Sequence, residues 1–207
     1  IDVVAKPNSL ASDLGIYLFS YKEAIRMAFD KIKQNDVLSS WYDSFTNQFH
    51  SRNVWQYLEV PEKGCFTDFR KMKVDDDELA MERVFSIGGK TGWYYANFLW
   101  KIRGFLDKLM GGVGLKRGRR NQNELEAGDS VDFWRVLFAN KEEKRLLLFA
   151  EMKVPGEAWL EFYIKDGELH QEATFRPLGL SGRLYWYSVL PFHGLIFNGM
   201  LRKLAGK

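Results

Sequence analysis

The tripeptide Gly89-Lys90-Thr91 has the residue types that close a nucleotide-binding P-loop, in which backbone N–H groups and a lysine bind phosphate oxygens. The full motif, G-x-x-x-x-G-K-[ST], also needs glycine where this chain has Val84, and valine lacks the backbone freedom of glycine. Residues 75–86 have the acidic first turn and apolar spacing of a helix, whereas a P-loop follows a buried strand. We therefore expect a glycine-rich break between two helices and no nucleotide at Lys90.

The other residue types that commonly do chemistry are scattered along the chain. His50, His170 and His193 do not share the short spacing of zinc ligands, and Cys65 is the single cysteine. No serine stands in a nucleophile-elbow motif beside a base. We therefore predict no metal, no cofactor and no catalytic residue in this chain.

Two groups of charged residues have ordinary structural explanations. Glu151 and Glu161 lie on strands that we expect to be neighbours, and both fall on the polar side, which favours a solvated or interface-facing pair over an acid–base pair. The basic residues of segment 116–120 lack interleaved aromatic side chains, and the net charge of the chain is only +3. We interpret that run as solvated surface and expect no nucleic-acid partner.

Gln171 and His193 are polar residues within apolar stretches of sequence. A buried polar group usually finds a hydrogen-bond partner inside the protein, and that explanation applies to both residues. A contact with a bound ligand is the alternative, and the sequence leaves both interpretations open.

The composition indicates a globular domain with a thick core or a lined cavity. Apolar residues make up 46% of the 207 residues, and the aromatic share of 15% includes seven tryptophans, whose rings each bury a large area. A lone cysteine excludes an internal disulfide and is typical of a reducing compartment. No signal-peptide pattern opens the chain, so we expect a cytoplasmic location.

Residues 184–201 carry no formal charge over a length close to the lower limit for a membrane span. Pro191, His193 and Asn198 interrupt this apolar run, and a proline removes one helix hydrogen bond. We predict a buried C-terminal helix rather than a membrane span, and we do not expect a membrane partner. A helix lying on a membrane surface is a further alternative.

Periodicity predicts the remaining elements. An amphipathic helix with a capping box at Ser20 and Glu23 covers residues 20–36. Helical and strand patterns then predict a strand at 64–74, helices at 76–86 and 91–110, strands at 131–139, 145–154, 158–164 and 169–177, and a helix at 181–205.

The strand patterns also predict a register. A short loop at 154–156 would place Met152 beside Ala158 and Ala150 beside Leu160, which puts both apolar sets on one face of an antiparallel meander. The order of elements lacks β-α-β alternation, so a parallel sheet is excluded. We predict an α+β fold in which a curved antiparallel sheet wraps around the long C-terminal helix.

Four segments in order carry a family resemblance: "IGGKTGWYYANFLWKIRGFLDKLMGGVGLKRGRR", "GDSVDFWRV", "AEMKVPGEAWLEF" and "TFRPLGLSGRLYWYSVLPFHGLIF". Over about residues 60–205 the chain resembles a bacterial family known only as a domain of unknown function. This family is similar to the START-like and polyketide-cyclase (SRPBCC, helix-grip) superfamily. The resemblance implies an apolar cavity between the sheet and the C-terminal helix, and it supplies no catalytic residue.

The same resemblance implies a domain arrangement. Members of the family typically follow an atypical short-chain-dehydrogenase or NAD-dependent-epimerase-like module on one polypeptide. Residues 20–36 resemble the closing helix of such a module, whereas its glycine-rich dinucleotide fingerprint is absent here. We therefore expect an N-terminal helical segment at 1–58, a helix-grip domain at 59–207, and a reductase-like module as a partner in cis.

We predict that the domain is a non-catalytic binding module for an apolar or aromatic small molecule. The alternatives are a cyclase- or hydratase-type enzyme that uses a polar cavity residue, and a peripheral membrane or protein-interaction domain. The predicted cavity lies between the apolar side of the sheet and the C-terminal helix, and its residues are Leu148, Ala150, Met152, Leu160, Phe162, Gln171, Trp186, Phe192 and His193.

Overall fold

The structure is a computed structural model, and the chain divides into two compact units, Ile1–Leu38 and Ser39–Lys207. The residues that the structure describes are 14–15, 19–33, 58–112, 114, 119 and 124–207.

The first unit contains helix α1, Tyr21–Lys33, which begins at the predicted capping box. The Glu23 N–H donates to Ser20 Oγ at 3.3 Å, and the Ser20 N–H donates to Glu23 Oε2 at 2.8 Å. Each side chain thus accepts from a backbone N–H that the first turn leaves unpaired.

The second unit contains the sheet and three helices. In chain order, its described elements are β1 (Phe66–Lys73), α2 (Asp77–Phe85), α3 (Asn97–Leu109), β2 (Ser130–Val131), β3 (Trp134–Asn140), β4 (Arg145–Ala150), β5 (Gly156–Lys165), β6 (Glu168–Pro177) and α4 (Gly179–Leu204).

Within the described residues the strands form one six-stranded sheet in the order β1-β6-β5-β4-β3-β2. Every neighbouring pair is antiparallel, and α4 follows β6 and packs on β6 and β1. This arrangement confirms the predicted α+β fold, a helix-grip architecture of an antiparallel sheet against a long C-terminal helix.

The predicted register between the two central strands is wrong, although the predicted face is right. Leu160 lies opposite Leu148, where we expected Ala150, and β4 ends at Ala150 rather than at residue 154. The Glu151 N–H still donates to Phe133 O on the β3 side at 2.9 Å, and beyond it the Lys153 N–H donates to the Asp107 carboxylate at 2.6 Å. A shift by an even number of residues keeps the same side chains on the same face.

Helix α3 begins at Asn97, later than the predicted start at residue 91. Tyr94 and Ala96 have φ angles of 60° and 51°, in the left-handed region that a helix cannot contain. The buried Trp93 holds this turn in place, because its indole N–H donates to Asp132 Oδ2 at 2.8 Å and its backbone N–H donates to Asn97 Oδ1 at 2.8 Å.

Two predictions about charged surface residues are corrected. Glu151 is fully buried and pairs with the fully buried Arg135 at 2.9 Å, so it is not a solvated partner of Glu161. Arg119 is also buried and donates to Ile87 O at 2.7 Å. The other members of the basic run, Lys116, Arg117 and Arg120, lie outside the described residues.

The apolar segment 184–201 lies within α4, and none of the helices among the described residues is long and apolar enough to cross a membrane. Toward its C-terminal end it is buried as predicted, with Phe197, Met200 and Leu201 in the core. Leu184 and Leu195, which precede these residues, are 64% and 55% exposed. The prediction of a wholly buried helix is therefore wrong at these positions.

A candidate ligand-binding cavity

A cavity of about 280 Å³ lies between helix α3, the sheet face covered by α4, and residues 185–197 of α4. The sheet contributes Ala158 on β5 and Ala173 on β6 to its lining, together with Trp134 and Phe175. Ala158 pairs with Phe175, and Ala173 pairs with Leu160, so these residues lie on one face. Alanine side chains leave unfilled volume at positions where neighbouring strands carry leucine or phenylalanine.

Close backbone contacts set the position of α4 over this end of the sheet. A Cβ on Gly182 would collide with Pro155 O and Pro177, and a Cβ on Gly199 would collide with the Tyr95 ring. Glycine at these positions therefore allows close packing of the helix on its neighbours.

Aromatic rings form the α4 side of the cavity. The Trp186 ring stacks on Phe66 at 5.4 Å and on Phe175 at 5.9 Å between centroids. His193 lies edge-on to Trp186 at 5.2 Å and beside Phe197 at 4.6 Å. Because these rings hold one another, the α4 wall is a fixed apolar surface.

His193 is the titratable lining residue that contacts a carboxylate. Its Nδ1 lies 3.7 Å from Asp68 Oδ2, and the two side chains are 20% and 9% exposed. Burial lowers the pKa of His193 below its usual value, and Arg70 adds to this effect while Asp68 opposes it. Arg70 itself pairs with Asp68 at 2.8 Å and donates to Asn198 Oδ1 at 2.5 Å. The imidazole is therefore neutral near pH 7, with Nδ1 toward the carboxylate.

Helix α3 supplies a wall that the sequence analysis missed, with Leu99, Ile102 and Leu106 facing the cavity. Arg103 is the charged residue of this wall: its Nη2 is 2.9 Å from Met152 Sδ and its guanidinium is 5.9 Å from the Tyr185 ring. The apolar spacing of the helix was visible in the sequence, but its position beside the cavity was not.

The structure brings four of the predicted site residues together and places the others elsewhere. Met152, Trp186, Phe192 and His193 line the cavity. Leu148, Ala150, Leu160, Phe162 and Gln171 are buried and do not line it. Gln171 is fully buried, and neither its side-chain nitrogen nor its oxygen has a hydrogen-bond partner within the described part of the chain.

Metal ligation was not expected at this site. Among the described residues, no group of three or more histidine, cysteine, aspartate or glutamate side chains could hold a metal ion.

Two individual proteins show likenesses of limited extent. The chain is 29% identical over 125 residues to "Probable translation initiation factor IF-2" of Pyrococcus abyssi (strain GE5 / Orsay), a match that covers 51% of this chain and 13% of that protein. The solved structure "Crystal structure of Ara h 8.0201" matches with a TM-score of 0.34 at 10% identity, over 70% of this chain and 100% of that chain.

A family model matches most of the helix-grip unit, from just before the first strand to near the end of α4. The model is described as "Protein of unknown function (DUF2867)", and it matches residues 62–200, so this chain belongs to the DUF2867 family.

Proposed function

We propose that this domain binds an apolar or aromatic small molecule, without catalysing a reaction, in the cavity between α3, the sheet and α4. The observation that supports this function is a cavity of about 280 Å³ whose lining is mostly aromatic and aliphatic. Ligand sites are typically concave, apolar and roughly 300–1,000 Å³ in volume, so this cavity suits a small ligand near the lower limit.

The character of the walls favours a ligand with an aromatic ring. Trp186, Phe175 and Tyr185 present ring faces or edges to the cavity, and rings attract one another in offset or edge-on arrangements beyond the effect of buried area. Arg103 in the lining would contact a polar group of such a ligand.

The family resemblance gives the proposal a cellular setting. In a longer polypeptide with a reductase-like module, this domain would hold the ligand close to that module and raise its local concentration there. Co-expression of the two modules, followed by a comparison of apolar molecules retained by each, tests this part of the proposal.

The experiment uses 1-anilinonaphthalene-8-sulfonate as a fluorescent probe and native mass spectrometry to detect co-purified apolar molecules. Ala173→Phe places a ring inside the cavity, and Ala139→Phe adds the same volume at the half-buried end of β3, away from the cavity. We expect saturable probe binding by the wild type and by Ala139→Phe, and at least about a tenfold loss in Ala173→Phe. Equal binding by both variants, or none by the wild type, would contradict the proposal.

A second candidate is a cyclase- or hydratase-type enzyme, and the contact between His193 and Asp68 favours it. A neutral imidazole that lines an apolar cavity, with a carboxylate beside Nδ1, can act as a general base. NMR detection of deuterium uptake from D₂O into a panel of aryl ketones, with His193→Gln as the control, tests this candidate. Exchange that is absent in the wild type or unchanged in the variant would remove it.

A further inference from the structure

The outward sides of α3 and α4 are apolar, in contrast to the usual amphipathic pattern of surface helices. On α3, Phe105 and Leu109 are 66% and 74% exposed, and Phe98 and Ile102 continue the same stripe at helical spacing. We use the term apolar rim for the large exposed apolar residues of both helices: Phe98, Ile102, Phe105, Leu106, Leu109, Leu180, Leu184, Tyr187, Leu190, Phe192 and Leu195.

Part of the apolar rim borders the cavity. Ile102, Leu106 and Phe192 line the cavity and are also exposed to the outside. At these three residues the cavity lining and the exposed apolar surface share side chains. This shared surface separates the rim from scattered exposed hydrophobic residues, which are common and need no explanation.

The charges on the two helices are of one sign. The 207-residue chain has 27 acidic residues, yet Asp107 is the single acidic residue within 97–109 and 179–204. Asp107 is fully buried, where it accepts hydrogen bonds from the Gly114 N–H at 2.8 Å and the Lys153 N–H at 2.6 Å. Lys101, Lys108 and Arg183 are exposed beside the rim, so the surface of the two helices is apolar and cationic.

We propose that the apolar rim docks onto the surface of a bilayer that contains anionic lipids. Exposed aromatic and aliphatic side chains next to lysine and arginine are the pattern of helices that lie in a membrane interface, where the apolar side chains enter the acyl boundary and the cations contact lipid phosphates. Docking in this way brings the cavity-lining residues Ile102, Leu106 and Phe192 to the lipid surface.

Co-sedimentation of the full chain with lipid vesicles tests the proposal. One set of vesicles contains phosphatidylcholine alone, and the other contains phosphatidylcholine with phosphatidylglycerol. The first variant, Phe105→Ser with Leu109→Ser, removes exposed apolar surface, and the second, Lys101→Glu with Lys108→Glu, reverses two charges. Leu79→Ser is the matched control, since Leu79 is 43% exposed on α2 and does not belong to the rim.

We expect the wild type and Leu79→Ser to bind the anionic vesicles and to dissociate as salt is added. The serine variant should lose about tenfold or more in partitioning, and the glutamate variant about fivefold per lysine. All variants should keep the thermal midpoint and the cavity-probe binding of the wild type, which makes this test independent of the proposed function. A wild type that stays in the supernatant would overturn the proposal, and so would serine substitutions that abolish self-association in solution without changing vesicle binding.

Discussion

The sheet face under α4 has two ends that share one apolar pattern and differ in what fills them. At one end, Leu146, Leu148, Leu160 and Phe162 are completely buried and form a solid core. At the other end, the same face of the sheet carries the small residues Ala158 and Ala173, and a cavity of about 280 Å³ lies above them. The alternation of apolar residues decides which face is covered, whereas side-chain size decides where that face is filled.

Different stretches of α4 follow the same division. Met200, Leu201 and Leu204 at its C-terminal end are buried in the core, and α2 contacts this helix. Trp186 and His193, earlier in the helix, line the cavity, while Leu184 and Leu195 are exposed. One helix therefore contributes a packing surface at its C-terminal end and a ligand-facing, partly exposed surface before it.

The largest difference between the two ends should appear when an aromatic ring is removed. Phe162→Ala should lower the free energy of unfolding by about 3–5 kcal/mol, because the ring leaves a void in a close-packed core. Phe192→Ala should cost less than about 1 kcal/mol, since Phe192 is 54% exposed and its loss creates no enclosed void. Urea unfolding of both variants checks this, and equal costs would mean that the two ends are packed alike.

Adding a ring should give the same order over a smaller range. Ala150→Phe should cost about 1–3 kcal/mol through overpacking, because Ala150 is buried opposite Trp134 and does not line the cavity. Ala173→Phe should cost less than about 1 kcal/mol, since its ring enters unfilled volume. Thermal melts of the two variants provide the measurement, and a cost at Ala173 equal to that at Ala150 would show that the cavity collapses or is already filled.

The sequence predicted the fold better than the position of the cavity, and the reasons are physical. Local alternation in residues 145–154 and 158–164 was enough to predict an antiparallel meander with one packed face. The exact pairing depends on distant groups, namely Asp107, which holds Lys153, and Arg135, which holds Glu151. No local pattern contains such contacts, so the register was predicted wrongly.

The candidate site was predicted only in part, and the missing part again depends on contacts between distant residues. Met152, Trp186, Phe192 and His193 line the cavity because the predicted pair of elements, sheet and C-terminal helix, does form two of its walls. The third wall, α3, is brought there by a left-handed turn around Trp93, which depends on the carboxylate of Asp132 far along the chain. Alanines on the apolar side of β5 and β6 were the one sequence signal that could have placed the cavity.

The smallest expected effect concerns the pH dependence of the cavity end, which depends on His193. Burial lowers the pKa of His193 in the folded protein below its usual value of 6.5, with Arg70 acting in the same direction and Asp68 against it. Below about pH 6.5 the unfolded chain binds a proton that the folded protein resists, so stability falls as the pH falls. The contribution of the neutral imidazole is therefore complete above that pH and is lost as the pH drops toward the folded-state value.

His193→Gln removes this titration and keeps a polar side chain at the cavity wall, so its stability should fall less steeply with acid than that of the wild type. Urea unfolding at several pH values between about 5 and 8 measures the difference between the two proteins, which should shrink as the solution becomes more acidic. His170→Gln, on the opposite face of the sheet, controls for the loss of an imidazole in general. If the difference instead grows in acid, attraction by Asp68 outweighs burial, and the cavity end is more polar than its apolar lining indicates.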